Sequence, residues 1–225
     1  MRKKQAFVTL LTVTLLVLSG STFGFNFGGG GPSVYYFPGG TFIGTTKNIN
    51  IPVLDIPQFS DGIIAFGGFG YGGVPGEMYS GGFGFGGERE YTLSGNNYKV
   101  SVGGGFGSGL KKIDFGNIAI QATVGFGGFD LTLERKVNEG NTNVGNLENG
   151  NLEGYLGASI SYLTLSGSLG LSIQVSFLEL SAGAIAFFGY SPDGWLVNGK
   201  KLTGLTNDFN FLMTYALYGG VAFGF

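Results

Sequence analysis

The chain has 225 residues, of which 46 are Gly, 22 Phe and 11 Tyr, with neither Cys nor His. Without Cys there is no disulfide framework, and without both there is no Ser-His-Asp or Cys-His nucleophile system and none of the usual zinc or haem ligand sets. Beyond residue 24, nine bases face 14 acids, a net charge of −5, so the chain offers no basic surface for nucleic acid.

In chain order, Arg2, Lys3 and Lys4 precede an apolar run from Ala6 to Leu18 that is too short to cross a bilayer comfortably. Residues 1 to 24 resemble a secretory signal peptide, cleaved after Gly24, with Gly20 and Ser21 as the other candidate positions. No Cys follows, which excludes a lipid-anchored exported protein. Residues 25 to 32, FNFGGGGP, read as a flexible Gly-rich leader. No helix with Lys and Ser or Thr follows, so this is not a phosphate-binding loop.

Ser33 to Gly44 is the first strand, with Pro38 at a rim or bulge. Pro52 and Pro57 break residues 47 to 61 into a loop, or a small plug, with apolar anchors. Gly62 to Gly73 turns at Val74-Pro75-Gly76 into Glu77 to Leu93, where Tyr79, Phe83, Phe85 and Tyr91 back onto Ser80, Gly82, Gly84 and Gly86. After a turn at residues 94 to 97, Tyr98 to Gly109 sets Tyr98, Val100, Val102 and Phe106 against Lys99, Ser101 and glycines. A turn at residues 110 to 113 leads into Asp114 to Lys136, where Ile118, Ile120, Val124 and Phe126 oppose Gln121 and Thr123.

Phe-Gly-Gly-Phe occurs at residues 66 to 69 and 126 to 129, with Tyr218-Gly-Gly-Val221 related. At each, the apolar positions change parity, as they would across an inserted residue, so β-bulges are expected at these Gly-Gly pairs. Two GxGxxG matches, at residues 68 to 73 and 82 to 87, lie inside strand patterns with no helix after them and are not dinucleotide sites. Residues 137 to 153 form a solvated Asn, Gly and Glu loop whose spacing matches no calcium loop.

Gly154 to Leu165 and Ser168 to Gly189 read as a pair around Ser166-Gly167. In the second, Leu169, Leu171, Ile173, Val175 and Phe177 alternate with Ser168, Gly170, Ser172, Gln174 and Ser176. A phase shift beyond Phe177 turns Glu179 to the polar side. Residues 190 to 207 form a long loop with a minor hairpin at Asn198-Gly199.

The last stretch, Asp208 to Phe225, places Phe211, Met213, Tyr215, Leu217, Val221, Phe223 and Phe225 on one face. A terminal Phe preceded by this alternation resembles the assembly signal of bacterial outer-membrane β-barrels, carried here by Tyr215, Leu217, Val221, Phe223 and Phe225. The GGGGP opening and FGGFG-type strands also resemble a loose group of glycine-rich exported bacterial proteins. That second resemblance implies architecture and no activity.

The eight strands, with connections running long, short, medium, short, long, short, long, specify an all-β chain. The expected fold is an antiparallel up-and-down β-barrel of about eight strands over residues 33 to 225. Closure is required if the chain enters a membrane, since lipid cannot satisfy an open sheet edge. Its interior polar cluster would be Lys99, Gln121, Asp130, Glu134, Gln174 and Glu179, paired for structure rather than catalysis. The expected protein is a non-enzymatic, cofactor-free outer-membrane barrel with a structural or surface-binding role. Its partners would be membrane lipid and the outer-membrane assembly machinery. The alternatives are a soluble secreted β-sandwich serving as a surface or matrix component, and a narrow pore.

Overall fold

The computed structural model describes residues 27–39, 62–74, 77–93, 95–137, 154–197, 199–202 and 210–224. The strands are β1 (Phe27–Phe37), β2 (Ile63–Gly73), β3 (Tyr79–Leu93), β4 (Asn96–Phe115), β5 (Ile118–Val137), β6 (Gly154–Val175), β7 (Leu178–Tyr190), β8 (Leu196–Val197), β9 (Lys200–Lys201) and β10 (Phe211–Phe223). Eight of them, β1 to β7 and β10, pair antiparallel with their neighbours, and β10 closes onto β1. The fold is a closed antiparallel β-barrel, not two packed sheets. β8 and β9 form a small hairpin, with Gly199 at φ +76° between them, and β8 attaches to β6 through Ala158 and Ser159.

One end carries the short connections, at residues 74–78, 116–117 and 176–177, together with the start of β1 and the end of β10. The other end carries the long connections and the short one between β3 and β4. There β3 to β6 overshoot their neighbours: β4, β5 and β6 have 20, 20 and 22 residues, against 11 in β1 and β2. Trp195 is buried among the aromatic core residues, and Val197 and Leu202 pack against that core.

Three strand boundaries differ from the sequence reading, each for a local reason. β1 begins at Phe27, so Gly28 to Pro32, expected as a leader, pair with β2 from Gly72 to Gly68. The turn expected at residues 110 to 113 lies instead at Gly116-Asn117, where Gly116 takes φ +73°. Ser166-Gly167 is no turn: β6 runs straight through it, and the hairpin turns at Ser176-Phe177, with Ser176 at φ +58°. The phase shift beyond Phe177 is that turn. Residues 1–24, 40–61 and 138–153 lie outside the described residues, as does Phe225.

The β-bulges expected at the Gly-Gly pairs are absent. Pairing runs without an offset through Gly67-Gly68 and Gly127-Gly128 on both flanking strands, and the register of β10 with β7 is unbroken through Gly219-Gly220. The apolar side chains change face while the backbone alternation continues. In β5, Ile118, Ile120, Val124 and Phe126 face out, whereas Phe129, Leu131 and Leu133 face in and are buried. The glycines serve curvature instead. A Cβ on Gly67 would collide with the Gly84 carbonyl oxygen, and one on Gly127 with that of Gly105. They let the sheet coil tightly without an extra residue.

The interior has two storeys. Towards the long-loop end it is filled by aromatic rings. Phe83 stacks on Phe106 at 4.8 Å, and Phe37 meets Phe85, Phe129 and Phe187 at 5.2, 5.9 and 6.0 Å. Phe37, Phe129 and Phe187 have no exposed surface. Towards the short-turn end the inward residues are Gln121, Thr123, Ser166, Ser168, Ser172 and Glu179.

Candidate functional site

The polar storey is built by alternation on three strands. On β4 the inward series Tyr98, Val100, Val102, Phe106 and Leu110 continues to Lys112 and Asp114. On β5 the inward positions include Gln121, and on β7 they begin with Glu179. Lys112 and Gln121 are direct cross-strand partners. The Lys112 Nζ donates to Glu179 Oε2 at 2.5 Å, and Gln121 Nε2 donates to Glu179 Oε1. Both oxygens of this buried carboxylate are thereby engaged. Desolvating a carboxylate is tolerable only when it is paired and hydrogen-bonded in this way. The Lys112 ammonium also lies 5.7 Å from the centre of the Tyr79 ring.

Above this cluster is a small cavity of about 40 Å³, lined by Tyr35, Tyr71, Thr123, Ser168, Ser181 and Tyr218 among others. Tyr71 Oη and Ser108 Oγ share a hydrogen bond of 3.1 Å there. The space suits a water or two among hydroxyls. Below it a vestibule of about 320 Å³ opens at the short-turn end, lined by Tyr79, Lys112, Asp114, Asn117, Gln174 and Glu179 among others. Among the described residues the packed rings fill the interior above, so the polar storey opens towards the short-turn end.

Of the expected interior cluster, Gln121 and Glu179 come together. Gln174 lines the vestibule at its rim, where its Nε2 donates to the Ser176 carbonyl at 3.5 Å. Lys99, Asp130 and Glu134 are corrected: they face out. Their strand neighbours Val100, Leu131 and Leu133 occupy the inside, because at that height the interior is apolar. Lys99 pairs with Glu88 at 2.6 Å on the outer surface, and the hydrogen bond that its ammonium donates to that carboxylate holds Lys99 above the usual lysine range. Lys112 was missed because residues 110 to 113 read as a turn, and Asp114 because it was placed at the start of the following strand; the even-numbered series of β4 carried the signal. Of the expected assembly-signal residues, Tyr215, Leu217 and Phe223 are exposed, and Val221 is half-buried.

The outer surface is equally divided. From β5 round to β10, on the short-turn side, it is apolar: Val124, Phe126, Leu165, Leu169, Leu171, Val175, Leu180, Phe188, Met213 and Leu217 are exposed. On β6 the apolar row from Leu163 to Val175 runs about 40 Å along the strand, or about 30 Å along the axis at the tilt of such a barrel. Round β1 to β4 at the same level the outward residues are mostly glycine. Gly68, Gly84, Gly105 and Gly128 are successive cross-strand partners. Compared with known proteins, the chain matches no protein-family model and no curated protein.

Proposed function

We propose that this chain is a non-enzymatic β-barrel of a bacterial outer membrane, embedded by its short-turn half and presenting its long-loop half outside. The observation that supports the reading is the inverted patterning of that half. Exposed Leu, Ile, Val and Phe face outward, while Gln121, Thr123, Ser168, Ser172 and Glu179 face inward. A soluble barrel gains stability from the reverse arrangement, and an apolar surface of this extent is a membrane or protein contact. The apolar height of about 30 Å matches the hydrocarbon core of a bilayer.

Under this reading the chain is exported and its partners are membrane lipid and the outer-membrane assembly machinery, which recognises the terminal strand through Tyr215, Leu217, Val221, Phe223 and Phe225. The role is structural or surface-binding, carried by the long-loop end. The blocked lumen argues against the narrow pore, and the closed sheet argues against the soluble sandwich.

Two measurements test this. The mature chain is expected to refold from denaturant in micelles or vesicles and to aggregate in detergent-free buffer; a folded monomer in plain buffer overturns the membrane reading. Deleting Phe225 is expected to reduce membrane assembly sharply in cells while leaving refolding into micelles nearly unchanged. Equal, mild effects in the two assays would remove the assembly-machinery part.

A further inference from the structure

We propose that the vestibule at the short-turn end is a binding site for a small organic cation, with a primary amine as the simplest member of the class. The inference rests on the closed barrel alone and not on its placement in a bilayer.

Charge decides the sign of the ligand. The vestibule is lined by two carboxylates, Glu179 and Asp114, and one ammonium, Lys112. Lys112 is held by Glu179, which leaves the Asp114 charge over. Asp114 is exposed at the rim and has no ion pair among the described residues. An anion entering here would meet that charge and would have to pull Lys112 away from a buried carboxylate, which is costly in such a setting. A cation meets the opposite situation.

The rest of the lining fits an amine better than a metal ion. Among the described residues no group of three or more His, Cys, Asp or Glu side chains converges on one point, as a dedicated protein cage for a hard cation would require. The lining instead adds the Tyr79 ring and the side-chain amides of Asn117 and Gln174. An aromatic face and amide oxygens around one free carboxylate make a mixed apolar and hydrogen-bonding setting suited to an alkylammonium. Its volume of about 320 Å³ admits a short amine. The ring stack above means that the ligand is held there rather than passed through.

The test uses the full chain refolded in an uncharged maltoside micelle, with emission of the single tryptophan, buried Trp195, reporting the fold. Putrescine is titrated by calorimetry. The expected result is saturable one-to-one binding that Asp114→Asn weakens about tenfold or more and Glu88→Gln, on the outer face, leaves unchanged. Glutamate and glucose should give no saturable signal. Since Asp114 is exposed, its amide variant keeps the fold, and a native Trp195 emission verifies this. No saturable binding to the folded chain, equal affinity in Asp114→Asn, or equal binding of glutamate would each overturn the proposal. Repeating the titration in vesicles with and without phosphatidylethanolamine separates two sources of the same ammonium chemistry. Loss of putrescine binding only in the former assigns the site to the lipid headgroup, and retention assigns it to a free amine.

Discussion

The two ends of β5 share a backbone and a register yet have opposite chemistry. From Ile118 to Phe126 the large apolar residues point outward and Gln121 and Thr123 inward; from Phe129 to Leu133 the apolar residues point inward, and Asp130 and Thr132 lie on the outer face. β6 changes in the same way between Tyr162, which is buried, and Leu163, which is exposed. Inward and outward therefore do not define the apolar face of this sheet. What surrounds the strand at each height defines it: rings inside and polar groups outside at one end, polar groups inside and an apolar exterior at the other.

The contrast can be broken most severely from the ring-filled end. Phe129→Ala removes a fully buried ring that meets Phe37, Phe85 and Phe187, and should cost about 3 to 5 kcal/mol, read by denaturant unfolding of the refolded barrel. Next is a pair of outward positions on β6. Leu171→Lys should cost about 2 to 4 kcal/mol in a bilayer near its midplane, whereas Ser161→Lys, above the apolar band, should leave vesicle refolding unchanged. Equal costs at the two sites would mean that no boundary crosses β6.

A smaller contrast separates glycines by direction. Gly127→Ala drives a methyl into the Gly105 carbonyl and should destabilise by about 1 to 3 kcal/mol. At Gly105, a Cβ meets open space, so Gly105→Ala should be neutral or should stabilise by up to about 1 kcal/mol. The smallest effect is expected at Asp130→Asn: on an exposed outer position, the same unfolding measurement should show no change, where a buried partner of the Lys112 and Glu179 pair would register strongly.

Much of the architecture was legible in the sequence. Period-two alternation gave the number of barrel strands and the place of most of them, and the Asn-Gly pair at residues 198 and 199 marked the small hairpin. Alternation does not say which face is inside. Lys99, Asp130 and Glu134 shared a face with glycine, serine or threonine, as Gln121 and Glu179 did, and only the height on the barrel separates the two groups. Turn chemistry misled where it was locally persuasive. Ser166-Gly167 is a common turn pair, yet here Ser166 is a buried inward residue and Gly167 an outward one on a continuous strand. Glycine content hid the start of β1, because a run with no side chains has no alternation to read, and its strand character comes from pairing with the equally bare end of β2. The parity change at Phe126-Gly-Gly-Phe129 was a real signal with a different cause, a change of surroundings in place of an inserted residue.

The stacked rings across the upper storey also determine the electrical character of the barrel. An ion entering from the short-turn end would have to shed its hydration among Phe37, Phe129 and Phe187, which offer no oxygen or nitrogen in exchange, and the cost of an unpaired charge in such a medium is prohibitive. Placed in a bilayer, this barrel is an insulator with a recess on one side. A membrane could carry it at high density without gaining conductance through it.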